Sequence, residues 1–103
     1  MKTLLDIAKI VRSKNAGPYI ITLDIFFKGA DDYKSVNESQ TFNKNSVSRA
    51  YNIKPDQVHS IFYLDDLKAV KINLRRVVPS GHLGDTDVLG AQQHAPLFNI
   101  SLP

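Results

Sequence analysis

Two aspartates two residues apart, a histidine preceded by two glutamines, and three glycines fall between Pro79 and Pro96. The segment reads Pro-Ser-Gly-His-Leu-Gly-Asp-Thr-Asp-Val-Leu-Gly-Ala-Gln-Gln-His-Ala-Pro and has no lysine or arginine, although the chain carries thirteen. Asp85 and Asp87 on a turn can converge on a divalent cation such as Mg²⁺, or on a sugar-like pair of hydroxyls. Two carboxylates are too few for a metal site alone, and the same pair can instead cap backbone amides in Asx turns. His94 can serve as a general acid or base near neutral pH, with Gln92 and Gln93 orienting a substrate carbonyl or carboxylate. The alternative for His94 is a ring packed beside the next element and donating to a backbone carbonyl. His82 sits among glycines, and His59 reads as structural.

A second cluster lies near the N-terminus. Lys14 and Asn15, followed by Gly17 and Pro18, can hold a carboxylate or phosphate; the same residues suit a helix C-cap. Thr22 and Asp24 follow on an apolar stretch, where a covered Asp24 needs a partner. Lys14, Asn15 or the donors of the 79–96 segment can provide it. The segment is expected to be ordered and to pack near Asn15 and the Thr22–Asp24 stretch.

Several chemistries are excluded or disfavoured. The absence of cysteine rules out disulfides, thiolate catalysis and zinc–cysteine sites, and makes a reducing cytoplasm the default location. No apolar run approaches the ~20 residues that span a bilayer, so no membrane association is expected. Asp6, Lys9 and Arg12 interrupt what would be the apolar part of a secretory signal. Residues 1–76 carry a net charge of +5 and residues 77–103 a net of −2. The bases are scattered without interleaved aromatics, so nucleic acid is not expected as a partner. No glycine-rich phosphate loop, serine or cysteine nucleophile motif, or helically spaced histidine pair is present.

The elements that must position these groups can be read in order. Thr3 and Asp6 form a capping-box-like start, and Leu4, Ile7, Ala8 and Val11 recur at helical spacing, predicting a helix over 4–14. Tyr19–Phe27 alternates as a strand, with Tyr19, Ile21, Leu23, Ile25 and Phe27 on its core face. Short helices are expected from Ala30 to about Ser39 and from about Asn45 to Tyr51. Val58–Leu64 and Ala69–Leu74 read as a hairpin across Asp65-Asp66, and Leu97–Leu102 as a final strand. One domain of 103 residues follows. Its fold class is α+β: a two-layer sandwich, ferredoxin-like in the broad sense, with a three- to four-stranded mixed sheet and helices on one face. The half-apolar second face of the first strand (Ile20, Phe26) predicts self-association.

The residues also carry a resemblance. Leu-Leu-Asp-Ile-Ala-Lys-Ile-Val-Arg-Ser-Lys-Asn-Ala-Gly-Pro near the N-terminus resembles the start of domain of unknown function 4387. Thr22–Ile25, Val78–Gly81, Gly84–Val88 and Gly90–Pro96 are similar to that family as well, so the resemblance covers the whole chain. It implies a small companion of the large acyclic terpene utilisation protein A (AtuA) type, and a ferredoxin-like domain. It assigns no residue a role. The expected function is a small accessory subunit of a two-component catabolic enzyme acting on a carboxylate or acyl compound, its 79–96 loop completing a composite site. The alternatives are a stand-alone enzyme using His94 as acid/base, with Asp85 or Asp87 on a metal or substrate, and a ligand-binding regulatory module.

Overall fold

A computed structural model describes residues 3–17, 19–75 and 95–102. The first element, α1 (Leu4–Ile7), is a single helical turn. Its start is built as the sequence predicts: the Thr3 amide and hydroxyl both donate to Asp6 Oδ2, at 2.8 and 3.2 Å. The helix does not continue to residue 14. From Ala8 to Gly17 the chain is a strand, β1, paired along β2 (Ile20–Phe27). Residues 8–14 have helical spacing but no period of two in their polarity, because Ile10 and Val11 are both apolar and Arg12, Ser13 and Lys14 are all polar. Pairing with the strongest strand of the chain overrides the helical signal. Gly17 pairs with Ile20, so Asn15 and Gly17 belong to a tight hairpin and not to a helix C-cap.

Helix α2 (Ala30–Ser39) opens with Asp31 and Asp32 in its first turn and ends at Gln40 in the left-handed region. Helix α3 (Lys44–Tyr51) is capped reciprocally: Asn43 Oδ1 accepts from the Ser46 amide at 2.9 Å, and Ser46 Oγ accepts from the Asn43 amide at 3.0 Å. Strands β3 (Val58–Leu64) and β4 (Ala69–Arg75) form the expected hairpin around the 3-10 turn Asp65–Leu67.

The α+β sandwich is the observed fold. Its sheet has four strands in the order β1-β2-β4-β3, and every neighbouring pair is antiparallel, where a mixed sheet was expected. The expected crossover is present in direction: β2 and β3 run the same way. However, β4 lies between them and pairs antiparallel with both, which leaves a split β–α–β unit of the ferredoxin-like kind. The expected strand over 97–102 is instead a 3-10 turn, Ala95–Asn99, with Leu97 fully buried. Pro96 lacks the amide a ladder needs, and Leu97 gains more by entering the core than by extending an edge.

One face of the sheet carries that core. Ile21, Leu23 and Ile25 of β2 face Val70, Ile72 and Leu74 of β4, and Leu4, Val36, Phe42, Val47 and Leu97 cover them. The other face has no described helix upon it. Among the described residues no helix is long and apolar enough to cross a membrane.

Candidate functional site

The second face of the sheet is laid out in rows by strand register. Row one is apolar: Ile10, Phe26, Ala69 and Leu64. Row two runs Arg12, Asp24, Lys71 and Phe62, and row three Lys14, Thr22, Asn73 and Ser60. Arg75 lies beyond row three, opposite Ile20. The period of two sends every second residue of each strand to this face, which is why β1 had to be a strand for Arg12 and Lys14 to arrive there.

Asp24 is the centre of row two. It is buried at 3% exposure, and Arg12 Nε donates to its Oδ2 at 3.1 Å. The Arg12 guanidinium also lies 5.2 Å from the Phe26 ring centroid, so it covers the carboxylate and the ring together. Among the described residues its partner is therefore Arg12, where Lys14, Asn15 or the donors of the 79–96 segment were expected; that segment lies outside the described residues. A carboxylate this buried would be costly alone, and the charge-assisted bond offsets that cost.

Row three is a hydrogen-bonded chain crossing three strands. Thr22 Oγ1 donates to Asn73 Oδ1 at 2.7 Å, and Asn73 Nδ2 donates to Ser60 Oγ at 2.9 Å. Ser60 Oγ is 3.1 Å from His59 Nδ1. With the Nδ1 lone pair free, Ser60 donates onward and all the bonds point one way, toward the imidazole; with Nδ1 protonated, that last bond reverses. Thr22 is buried, His59 is exposed, and the chain links an interior group to a surface ring. His59, expected to be merely structural, is the outer end of this row.

The sequence candidates divide sharply. Asp24 and Thr22 share the face with exposed Lys14, which is set opposite Thr22 on the edge strand. Asn15 pairs with Ile21 through its backbone, and its side chain lies outside what is described. His82, Asp85, Asp87, Gln92, Gln93 and His94 lie outside the described residues, as do the expected order of the 79–96 loop and its packing near Asn15 and Asp24. Among the described residues, no group of three or more His, Asp or Glu side chains is arranged to hold a metal ion.

Arg12, Asn73, Ser60 and Lys71 were missed as site residues. The alternation of Lys71, Asn73 and Arg75 with Val70, Ile72 and Leu74 was the available signal for two of them. Arg12 was lost with the misread helix.

A separate groove of about 540 Å³ lies between α3 and the C-terminal residues, lined in part by Ser46, Arg49, Asn99, Ile100 and Ser101. Its Ser46 hydroxyl is already committed, donating to the Thr41 carbonyl at 2.7 Å.

A family model described as Domain of unknown function (DUF4387) matches residues 4–101. No curated protein and no solved structure matches the chain.

Proposed function

This chain belongs to the DUF4387 family, and from that premise we propose that it is a small accessory subunit of a two-component catabolic enzyme. The large component is of the AtuA type, the substrate is a carboxylate or acyl compound, and residues 79–96 complete a composite site at the junction. The observation that carries this reading is the second sheet face. Its polar row is held in a fixed hydrogen-bonded order, and the same face carries exposed Ile10 and Phe62, with no described helix covering it. A surface that is both ordered and partly apolar is suited to a protein partner. In the composite site His94 acts as acid or base, and Asp85 and Asp87 hold a substrate hydroxyl or a Mg²⁺ ion.

Co-expression with a large AtuA-type protein tests the reading. The two should co-purify, and the pair should turn over acyl carboxylates in a screen run with and without Mg²⁺. Neither component alone should do so. Turnover by the isolated small chain would favour the stand-alone enzyme, and failure to co-purify would remove the reading. His94→Ala should abolish activity of the pair, since losing a general acid/base commonly costs ~10²–10⁴-fold, with the melting temperature unchanged.

A ligand-binding regulatory module is the second reading, favoured by the groove beside Arg49. Its cation and the Asn99 amide would suit a carboxylate head, with Ile100 as apolar wall.

A further inference from the structure

We propose that the second sheet face docks an acidic segment of a partner protein, with rows two and three as its footprint. This inference rests on the accessory-subunit reading and adds the chemistry of the contact.

The charge count of the face carries it. Register places Arg12 and Lys14 of β1 and Lys71 and Arg75 of β4 on one face, on either side of β2, with Asp24 as the sole acid among the described residues there. Asp24 is 3% exposed and already bonded to Arg12, so the free charge that the described residues of this face carry is positive. Among the described residues no carboxylate lies within ion-pair distance of Lys14, Lys71 or Arg75. These bases come from two distant stretches of sequence, 12–14 and 71–75, and only the antiparallel register gathers them.

The flanks narrow the choice of occupant. Ile10 and Phe62 are 46% and 50% exposed on the two edge strands: Ile10 shares β1 with Arg12 and Lys14, and Phe62 of β3 stands opposite Lys71. An acidic polypeptide carrying apolar side chains meets both features. A single-stranded nucleic acid needs successive rings to stack its bases. Here Phe62 is the exposed ring, while Phe26 is half-buried beneath the Arg12 guanidinium. The face therefore suits carboxylates better than bases.

Titration of the isotope-labelled full chain with a synthetic peptide of alternating glutamate and leucine tests the inference by amide chemical shifts. Shifts should cluster on residues 10–14, 22–26 and 69–75. Affinity should fall at least ~10-fold between low salt and ~0.5 M salt, because exposed charges are screened there. Lys14→Gln with Lys71→Gln, which sets no like charge opposite Asp24, should abolish binding without changing the melting temperature. Equal binding by the glutamine–leucine version of the peptide, shifts elsewhere or none at all, or tighter binding of oligothymidine would overturn it.

The same double variant separates this inference from the reading it rests on. If the large component still co-purifies with the variant as well as with the natural chain, the acidic contact is wrong and the accessory role stands. If co-purification fails already with the natural chain, the accessory role falls and the peptide titration still decides the chemistry of the face.

Discussion

Asp24 and Arg12 illustrate how little exposure alone says about a residue. Arg12 is 52% exposed in its side chain, a level at which substitutions usually stay within ~0.5 kcal/mol. Yet its removal leaves a carboxylate at 5% side-chain exposure without its donor. Arg12→Ala should therefore destabilise by about 1.5–3 kcal/mol, as expected for a lost charge-assisted bond, and urea unfolding would measure it. Asp24→Asn keeps the shape and a weaker acceptor, so it should cost less than Arg12→Ala. A loss for Arg12→Ala no larger than for an ordinary surface lysine would show that the pair contributes nothing.

Tyr33 supplies a pH prediction at the same scale. Burial first, and then its hydrogen bond to Asp65, push the phenol up to about 12. The folded value lies above the unfolded value near ~10, so this contribution is whole below that pH and is lost as pH rises through about 12. Burial also raises Tyr51 and Tyr63, so the chain should weaken in alkali through three phenols. Tyr33→Phe should cost about 1 kcal/mol at neutral pH through the lost hydrogen bond, and its melting temperature should fall less steeply across the alkaline range. An unchanged alkaline slope would mean that Tyr33 titrates alike in the folded and unfolded states.

Among the elements, the ones that read correctly are those whose signals are local. α3 begins where Asn43 and Ser46 exchange hydrogen bonds, and Asn52 closes it in the left-handed region. Asn43→Ala should cost about 1 kcal/mol, the usual worth of such a cap. The β3–β4 hairpin likewise follows from alternation and an acidic turn. The misread elements are those decided by distant partners. Residues 8–14 read as helix until β2 was available to pair with them, and 97–102 could be strand until Leu97 found a place in the core. Leu97→Ala should cost about 2–5 kcal/mol despite lying six residues from the end. A loss below ~1 kcal/mol would place that turn outside the cooperative unit.

For the whole molecule, the described helices lie on one side of the sheet, and the other face has no described element upon it. Self-association was expected through Ile20 and Phe26, yet both are only half exposed or less, and the second is covered by Arg12. Two copies meeting face to face would set four cations against four. Any dimer formed that way should strengthen as salt screens the repulsion. Sedimentation at low and high ionic strength reads this directly. Association that weakens with salt would place the contact on another surface.

The sequence by itself determined the class of fold, the capped starts of the first and third helices, the hairpin of the last two strands and the apolar stripe of β2. Each of these depends on residues within one turn or one alternation of each other, where spacing is enough. It also singled out Thr22 and Asp24 as polar groups in need of partners. Which partners they have was decided only by tertiary structure. Arg12 reaches Asp24 because β1 pairs along β2, and Asn73 reaches Thr22 because β4 enters between β2 and β3 from fifty-one residues away. Register across strands is a long-range choice made by the shared core, and it converts scattered bases into one positive face.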